Sequence, residues 1–182
     1  MVLAMTAMPL AMERHQHSLS ATAVVMQMHV LGMFLPSFFT GSLITRFGAL
    51  RIMLAGTALL SAHVVLSLSG TGFVYFASAL AILGMGWNFL YIGGTTLLTN
   101  AYLPVERGRA QAANDLVIFV VGLASSLSAG VLLQALGWRL MNIMLLPWLL
   151  AATAALLWLA YARRAARSAI ASGSPLHTGT DQ

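Results

Sequence analysis

The sequence predicts an all-α fold in which several helices cross a lipid bilayer. Of its 182 residues, 59% are hydrophobic and only 7% are charged, whereas an ordinary soluble domain carries about 25% charged residues. The apolar residues form long runs separated by short polar stretches. Most of these runs reach the roughly 20 residues that a helix needs to cross the hydrocarbon core. We therefore expect a polytopic transmembrane helix bundle with five complete helices and a shortened first one.

The composition also excludes several kinds of site. The chain has no cysteine, which removes disulfides, thiolate nucleophiles and soft metal sites. It has no Ser/His/Asp set, zinc motif or paired carboxylates at helical spacing, so we expect no catalytic residue, metal site or cofactor, and no enzyme. The net charge of +5 comes from arginines spread over loops and the chain end. That distribution argues against a nucleic-acid partner.

The first apolar segment, residues 1–12, is too short to cross a membrane. Twelve helical residues cover about 18 Å of a hydrocarbon core near 30 Å. The segment lacks the basic start of a signal peptide, so we interpret it as a transmembrane helix without its beginning. Glu13, His15 and His17 follow it, and their loose spacing favours a solvated loop over a metal site.

The second segment, residues 20–44, carries its polar residues on one side. Thr22, His29, Pro36 and Thr40 fall on one helical stripe, which in a membrane faces protein or water. Pro36 removes a backbone hydrogen bond and predicts a kink. His29 is a candidate for proton coupling because imidazole titrates near neutral pH. The alternative role for His29 is a hydrogen-bonded packing residue.

Residues 41–52 connect the second segment to the third, which spans 51–69, as a tight turn at one membrane face. We expect Gly41 to let a helix end pack closely on its neighbour, and Gly48 to occupy a turn position with positive φ. Arg46 and Arg51 can reach lipid phosphates or the free carbonyls of a helix C-terminus.

The fourth segment, residues 73–99, has the longest polar face in the chain. Its candidate residues for lining a substrate cavity are Gly84, Asn88, Tyr91 and Thr95, which recur at helical spacing and predict a continuous stripe. The alternative is that these side chains only bond neighbouring helices as packing contacts. Trp87 lies one residue step away and is expected to face lipid or a neighbouring helix.

A polar stretch, residues 100–115, leads to the fifth segment, 116–136, and a turn then leads to the sixth, 140–161. Asp115 is expected in the first turn of the fifth helix, where a carboxylate is favoured, and it is the second coupling candidate. The fifth segment repeats small residues at Gly122, Ser126 and Gly130, a ladder that lets another helix approach closely. We assign 1–162 to the bundle and 163–182 to a disordered tail.

The turn between the second and third segments resembles a known signature. Gly41-x-Leu43-x-x-Arg46-x-Gly48-x-x-Arg51 is similar to the Gly-x-Leu-x-Asp-Arg-x-Gly-Arg-Arg pattern of the major facilitator superfamily. That pattern joins the second and third helices of each six-helix half. Thr45 stands where the Asp is expected, and such departures suggest the C-terminal half. The stretches PVERGRAQ at 104–111 and GWR at 137–139 resemble later connections of the same half.

The resemblance implies a secondary transporter of a small solute. Its two halves would rock about a midplane site, with the first and fourth helices of each half lining the cavity. The implied partners are the lipid bilayer, a small-molecule substrate, and either a missing N-terminal half or a second copy of the chain. A homodimeric small carrier and a non-transporting structural membrane protein remain alternative interpretations.

The arginines predict the orientation of the bundle. Two of the nine, Arg14 and Arg139, fall in one set of loops. The other seven are Arg46, Arg51, Arg107, Arg109, Arg163, Arg164 and Arg167. Because basic loops stay on the cytoplasmic side, we expect a multi-pass protein of the cell's inner (plasma) membrane with a cytoplasmic C-terminus.

Overall fold

The computed structural model describes residues 1–103 and 105–171, and these form seven helices and no strand. The helices are α1 (Val2–Arg14), α2 (Leu19–Phe34), α3 (Ser37–Phe47), α4 (Ala49–Ser69), α5 (Phe73–Ala101), α6 (Arg107–Ile143) and α7 (Leu146–Ala171). Within this described part, 4 stretches are long and apolar enough to cross a membrane. The predicted all-α transmembrane bundle is confirmed.

The last of these stretches contains two crossings. It runs from Arg107 to Ala166 over 60 residues, which as one helix would measure about 90 Å against a hydrocarbon core near 30 Å. The chain reverses within it at Gly137, where φ is 71° and ψ is 169°. The part before the reversal packs on α1, and α7 packs on α4. The predicted fifth and sixth segments are therefore both present.

The second span is broken at the predicted proline. α2 ends at Phe34 and α3 begins at Ser37, because Pro36 has no amide hydrogen to continue the helical bonds. The helix assignment is interrupted at the predicted position, while φ and ψ of Leu35 and Pro36 stay in the α-helical range. Thr22, His29 and Thr40 are all buried, so the polar stripe of this span faces protein, as expected.

α5 is the central helix of the bundle and packs mainly between α2 and α4. At its first turn, one end of the bundle is closed by three side chains, which come from the α1–α2 loop, α5 and α6. His17 Nε2 donates to the Thr71 carbonyl over 2.7 Å, and Trp138 Nε1 donates to the Ser67 carbonyl over 3.0 Å. The Phe76 ring contacts both, with centroid distances of 5.5 Å to His17 and 5.6 Å to Trp138.

The small-residue ladder of α6 packs against α1. A Cβ added at Gly122 or at Gly130 would lie 3.6 or 3.8 Å from the nearest α1 side-chain atom. Between them, Ser126 Oγ accepts a 3.5 Å hydrogen bond from Thr6. The packing partner of the ladder is therefore the short first helix, but the contact is at ordinary van der Waals distance and the predicted close approach of the two backbones is not seen.

The connection at 41–52 is shorter than predicted. Only Gly48 separates α3 from α4, and its φ of 88° confirms the expected positive value. The role predicted for Gly41 is wrong, because Gly41 is exposed and an added Cβ would meet nothing within 4 Å. Helical hydrogen bonds continue past the apolar run as far as Phe47, so the polar residues do not form a separate loop.

Two other helix ends differ from the sequence prediction. α6 begins at Arg107 rather than near 116, so Asp115 lies beyond the first turn. α7 continues to Ala171 rather than ending before a disordered tail at 163. Both extensions are rich in alanine and arginine, which have high helix propensity and sustain the helix outside the apolar segment. Residues 172–182 of the predicted tail lie outside the described residues.

Candidate functional site

Asn88 lies in the middle of α5 and is buried, with 2% of its surface exposed. Its side-chain amide donates to the Met33 carbonyl over 2.8 Å and to Ser37 Oγ over 2.6 Å. Its side-chain oxygen accepts a 2.8 Å hydrogen bond from Thr40. Asn88 therefore bonds α5 to both sides of the break between α2 and α3.

These bonds fall where the proline weakens the second span. In an unbroken helix, the Met33 carbonyl would accept from the amide of residue 37, but the helical hydrogen-bond pattern is interrupted at 35–36. Thr40 Oγ1 also donates to the Pro36 carbonyl over 2.7 Å. The network thus supplies partners to backbone groups that a proline break exposes inside an apolar environment.

Gly84 lies one turn before Asn88 and faces the same neighbour. A Cβ added at Gly84 would come within 2.5 Å of the His29 carbonyl oxygen and 2.8 Å of the Met33 nitrogen. Only glycine permits this approach of the α2 and α5 backbones. Of the cavity candidates, Gly84 and Asn88 therefore make helix–helix contacts in this structure, which is the alternative role left open by the sequence.

Two buried histidines flank α5 from opposite sides. His29 Nδ1 on α2 donates to the Leu80 carbonyl over 2.8 Å, and His63 Nδ1 on α4 donates to the Ala79 carbonyl over 2.9 Å. Within the described part of the chain, Nε2 of each ring is buried without a hydrogen-bond partner. Each imidazole thus has one nitrogen fixed by a backbone carbonyl and the other buried without a partner among the described residues. The other coupling candidate, Asp115, is exposed and accepts from Gln111 Nε2 over 2.8 Å.

Tyr91 lies on the edge of the polar stripe and stacks on Trp87. The ring centroids are 4.8 Å apart and the ring planes differ by 13°. Tyr91 is 36% exposed and Trp87 is half-buried. Thr95, one turn further along α5, is half-buried, and its hydroxyl has no hydrogen-bond partner among the residues that the structure describes.

Trp87 also lines an open cavity of about 300 Å³ between α1, α5 and α6. The other lining residues are small or apolar except for one serine: Met1, Val2, Val117, Ile118, Val121, Gly122 and Ser125. An aromatic pair beside an apolar wall can hold a flat, apolar ring by stacking.

The sequence prediction placed Trp87 against lipid or a neighbouring helix and did not pair it with Tyr91, because it considered only the polar stripe. The spacing of four between Trp87 and Tyr91 places the two rings one above the other on a helix. That spacing was the available signal. Which helix faces the pair depends on how α1 and α6 pack, and the spacing carries no information about that packing.

Comparisons with known proteins place the chain in a family. The family model described as Major Facilitator Superfamily matches residues 1–180. The chain is 45% identical over 147 residues to the riboflavin transporter RfnT of Brucella anthropi, an alignment that covers 81% of this chain and 37% of that protein. It is 35% identical over 134 residues to the uncharacterized MFS-type transporter YdeG of Bacillus subtilis, covering 72% of this chain and 31% of the relative.

The chain thus spans only about a third of the length of the curated relatives it matches. No solved structure matches it. The match of the family model across nearly the whole chain agrees with the apolar helices and with the glycine–arginine turn at Gly48. The chain is a multi-pass membrane protein that belongs to the major facilitator superfamily.

Proposed function

We propose that this chain forms one six-helix half, the C-terminal one, of a secondary transporter that moves a small planar solute by alternating access. The observation that carries the proposal is the 45% identity to a protein named as a riboflavin transporter. With α2 and α3 counted as one broken span, the described helices give six segments, as a half of such a transporter requires. Transport rather than chemistry is the activity proposed, since the relatives are named as transporters.

The stacked pair on α5 supports a planar solute. Riboflavin carries a flat, conjugated ring system, and flat rings gain most from offset stacking on an aromatic face. Trp87 offers such a face beside the apolar wall of α6. Thr95 does not line this cavity, and its hydroxyl oxygen is buried without a partner among the described residues, so it offers the solute no contact in this arrangement. Asn88 and Gly84 would act indirectly, by holding α5 against α2.

The other half of the cavity would come from a complementary bundle. It is either the remainder of a longer protein or a second copy of this chain. The outer face of α6 offers a broad apolar surface for helix or lipid contact, with exposed side chains at Leu116, Phe119, Val120, Leu123 and Leu127. In the proposed orientation, the end of the bundle with Arg46 and Arg163 faces the cytoplasm of the inner membrane.

His29 is the proposed proton-coupling residue. It lies at the contact between α2 and α5, and its Nε2 is buried without a partner among the described residues. Rocking of the half-bundle would expose this nitrogen to water in one state and bury it in the other. Asp115 is exposed in this structure. Its carboxylate suits proton exchange at the membrane surface rather than proton coupling at mid-depth.

Binding can be tested on the chain alone in lipid nanodiscs. Riboflavin is titrated and its own fluorescence followed, since stacking on an indole quenches the flavin. We expect saturable quenching and a loss of affinity of about two- to tenfold in Trp87→Leu, because an aromatic pair contributes about 0.5–1.5 kcal/mol beyond burial. Trp148→Leu is the matched control, as Trp148 is 78% exposed on α7. Equal affinity in the two variants would exclude the α5 pair as the binding site.

Transport needs a second measurement in proteoliposomes. The chain is reconstituted alone and together with a complementary six-helix bundle, and riboflavin uptake is followed. Uptake in the paired sample supports a half-transporter, and uptake by the chain alone together with cross-linked dimers favours the homodimeric carrier. Binding without uptake in either sample would contradict transport and favour a structural membrane protein.

A further inference from the structure

A second cavity, of about 410 Å³, lies where α3 meets α4 and is separate from the aromatic pair. Four of the nine arginines in the chain line it: Arg46, Arg51, Arg163 and Arg164. Between them lie the turn at Gly48, the ring of Phe47 and the side chain of Leu97 from α5. Two distant parts of the sequence, 46–51 and 163–164, thus bring their arginines to one place.

The cavity lies at a membrane face. Arg46 is in the last turn of α3, and α4, a candidate span, starts at Ala49. Arg51 and the Arg163–Arg164 pair are exposed on either side of this helix junction. A group bound here would therefore sit at the level where the lipid head groups begin.

The charges in this cavity are of one sign. Among the residues that the structure describes, no carboxylate lines it. Like charges that converge repel one another, and an anion held between them relieves the repulsion. Guanidinium groups bind phosphate by paired, charge-assisted hydrogen bonds. Arg46 is placed for this, with its guanidinium carbon 5.3 Å from the centre of the Phe47 ring.

We infer that this cavity binds the phosphate of an anionic phospholipid head group. Inorganic phosphate offers the same charge, but the rest of the lining favours a lipid. Phe47, Ala49, Leu50, Leu97 and Ala160 give the cavity an apolar part, which can contact the start of the acyl chains while the arginines hold the head group.

The test is lipid binding to the purified chain in detergent, measured by native mass spectrometry with phosphatidylglycerol. The variants Arg163→Gln/Arg164→Gln and Arg46→Gln/Arg51→Gln each remove two guanidinium groups from the cavity. Each should weaken binding by at least about tenfold, since one arginine near anionic lipid contributes about fivefold. The matched control is Arg107→Gln/Arg109→Gln, which removes two exposed arginines that do not line the cavity. It should bind as the wild type does.

Three results would overturn the inference. Equal weakening in the Arg107/Arg109 control would mean that general positive charge, not this cavity, attracts the lipid. Equal binding of zwitterionic phosphatidylcholine would remove the role of the anionic head group. Competition by inorganic phosphate at the same concentration as phosphatidylglycerol would identify free phosphate as the ligand. Helix content by circular dichroism, unchanged in all variants, shows that losses are not due to unfolding.

Discussion

Replacement of Asn88 by leucine tests the junction between α5 and the broken second span. Leucine is similar in size but makes none of the three hydrogen bonds to Met33, Ser37 and Thr40. Interhelical bonds inside a membrane average about 0.6 kcal/mol each, which gives roughly 1 kcal/mol for the bonds to Ser37 and Thr40. The Met33 carbonyl also loses a donor next to the helix break, which adds about 1–3 kcal/mol. Thr40 keeps its bond to the Pro36 carbonyl, so its hydroxyl is not left unpaired and adds little to the loss of stability.

We therefore expect Asn88→Leu to lower the free energy of unfolding by about 2–4 kcal/mol. Insertion into the membrane should be unaffected because leucine is more apolar. The measurement is unfolding in mixed micelles by added SDS, followed by circular dichroism. Thr96→Val is the matched control on the same helix, since Thr96 bonds only its own helix at the Ile92 carbonyl. If Asn88→Leu were as stable as Thr96→Val, the role of Asn88 at the proline break would be refuted.

Three further variants test single contacts. Gly84→Ala should destabilise the bundle by about 1–3 kcal/mol in the same SDS unfolding assay, because its Cβ would press on the α2 backbone. Gly130→Ala is the control and should not destabilise it, since a Cβ there would lie 3.8 Å from the nearest atom. Equal stability of the two variants would contradict the close approach of α2 and α5. Gly48→Ala should lower the free energy of unfolding by about 1–2 kcal/mol because Gly48 has a positive φ. If Gly41→Ala, at an exposed position, lowers it as much, the positive φ at Gly48 is not the cause. His29→Ala in an assembled transporter should lower proton-driven uptake, and an unchanged pH dependence of uptake would remove His29 from the coupling mechanism.

The features that could be predicted from sequence are those fixed by local chemistry. Pro36 has no amide hydrogen, so the interruption of the second span could be predicted from one residue, whereas Pro9 lies inside α1 without ending it. The apolar runs gave the spans because no other structure satisfies the backbone in lipid. The positive φ at Gly48 followed in the same way from a glycine at a turn.

The features that could not be predicted depend on neighbours. Gly41 and Gly84 look alike as glycines in apolar helices, yet Gly41 is exposed and Gly84 lies against the α2 backbone. Likewise, the stripe from Gly84 to Thr95 predicted one polar face but not which helix would meet each part. Asn88 turned out to bond α2 and α3, while Tyr91 pairs with Trp87 towards α6. Which neighbour each of these residues contacts is decided only by how α5 packs between the other helices.

Riboflavin uptake by the assembled transporter in proteoliposomes tests directly whether the chain is half of a transporter that binds a planar solute at the Trp87–Tyr91 pair. The wild type is compared with Trp87→Leu and with Trp148→Leu, whose side chain is 78% exposed on α7. Uptake should be saturable, and its kcat/KM should fall about two- to tenfold in Trp87→Leu and stay unchanged in Trp148→Leu. Uptake by Trp87→Leu at the wild-type rate, or absence of riboflavin uptake from the wild-type assembly, would contradict the proposal.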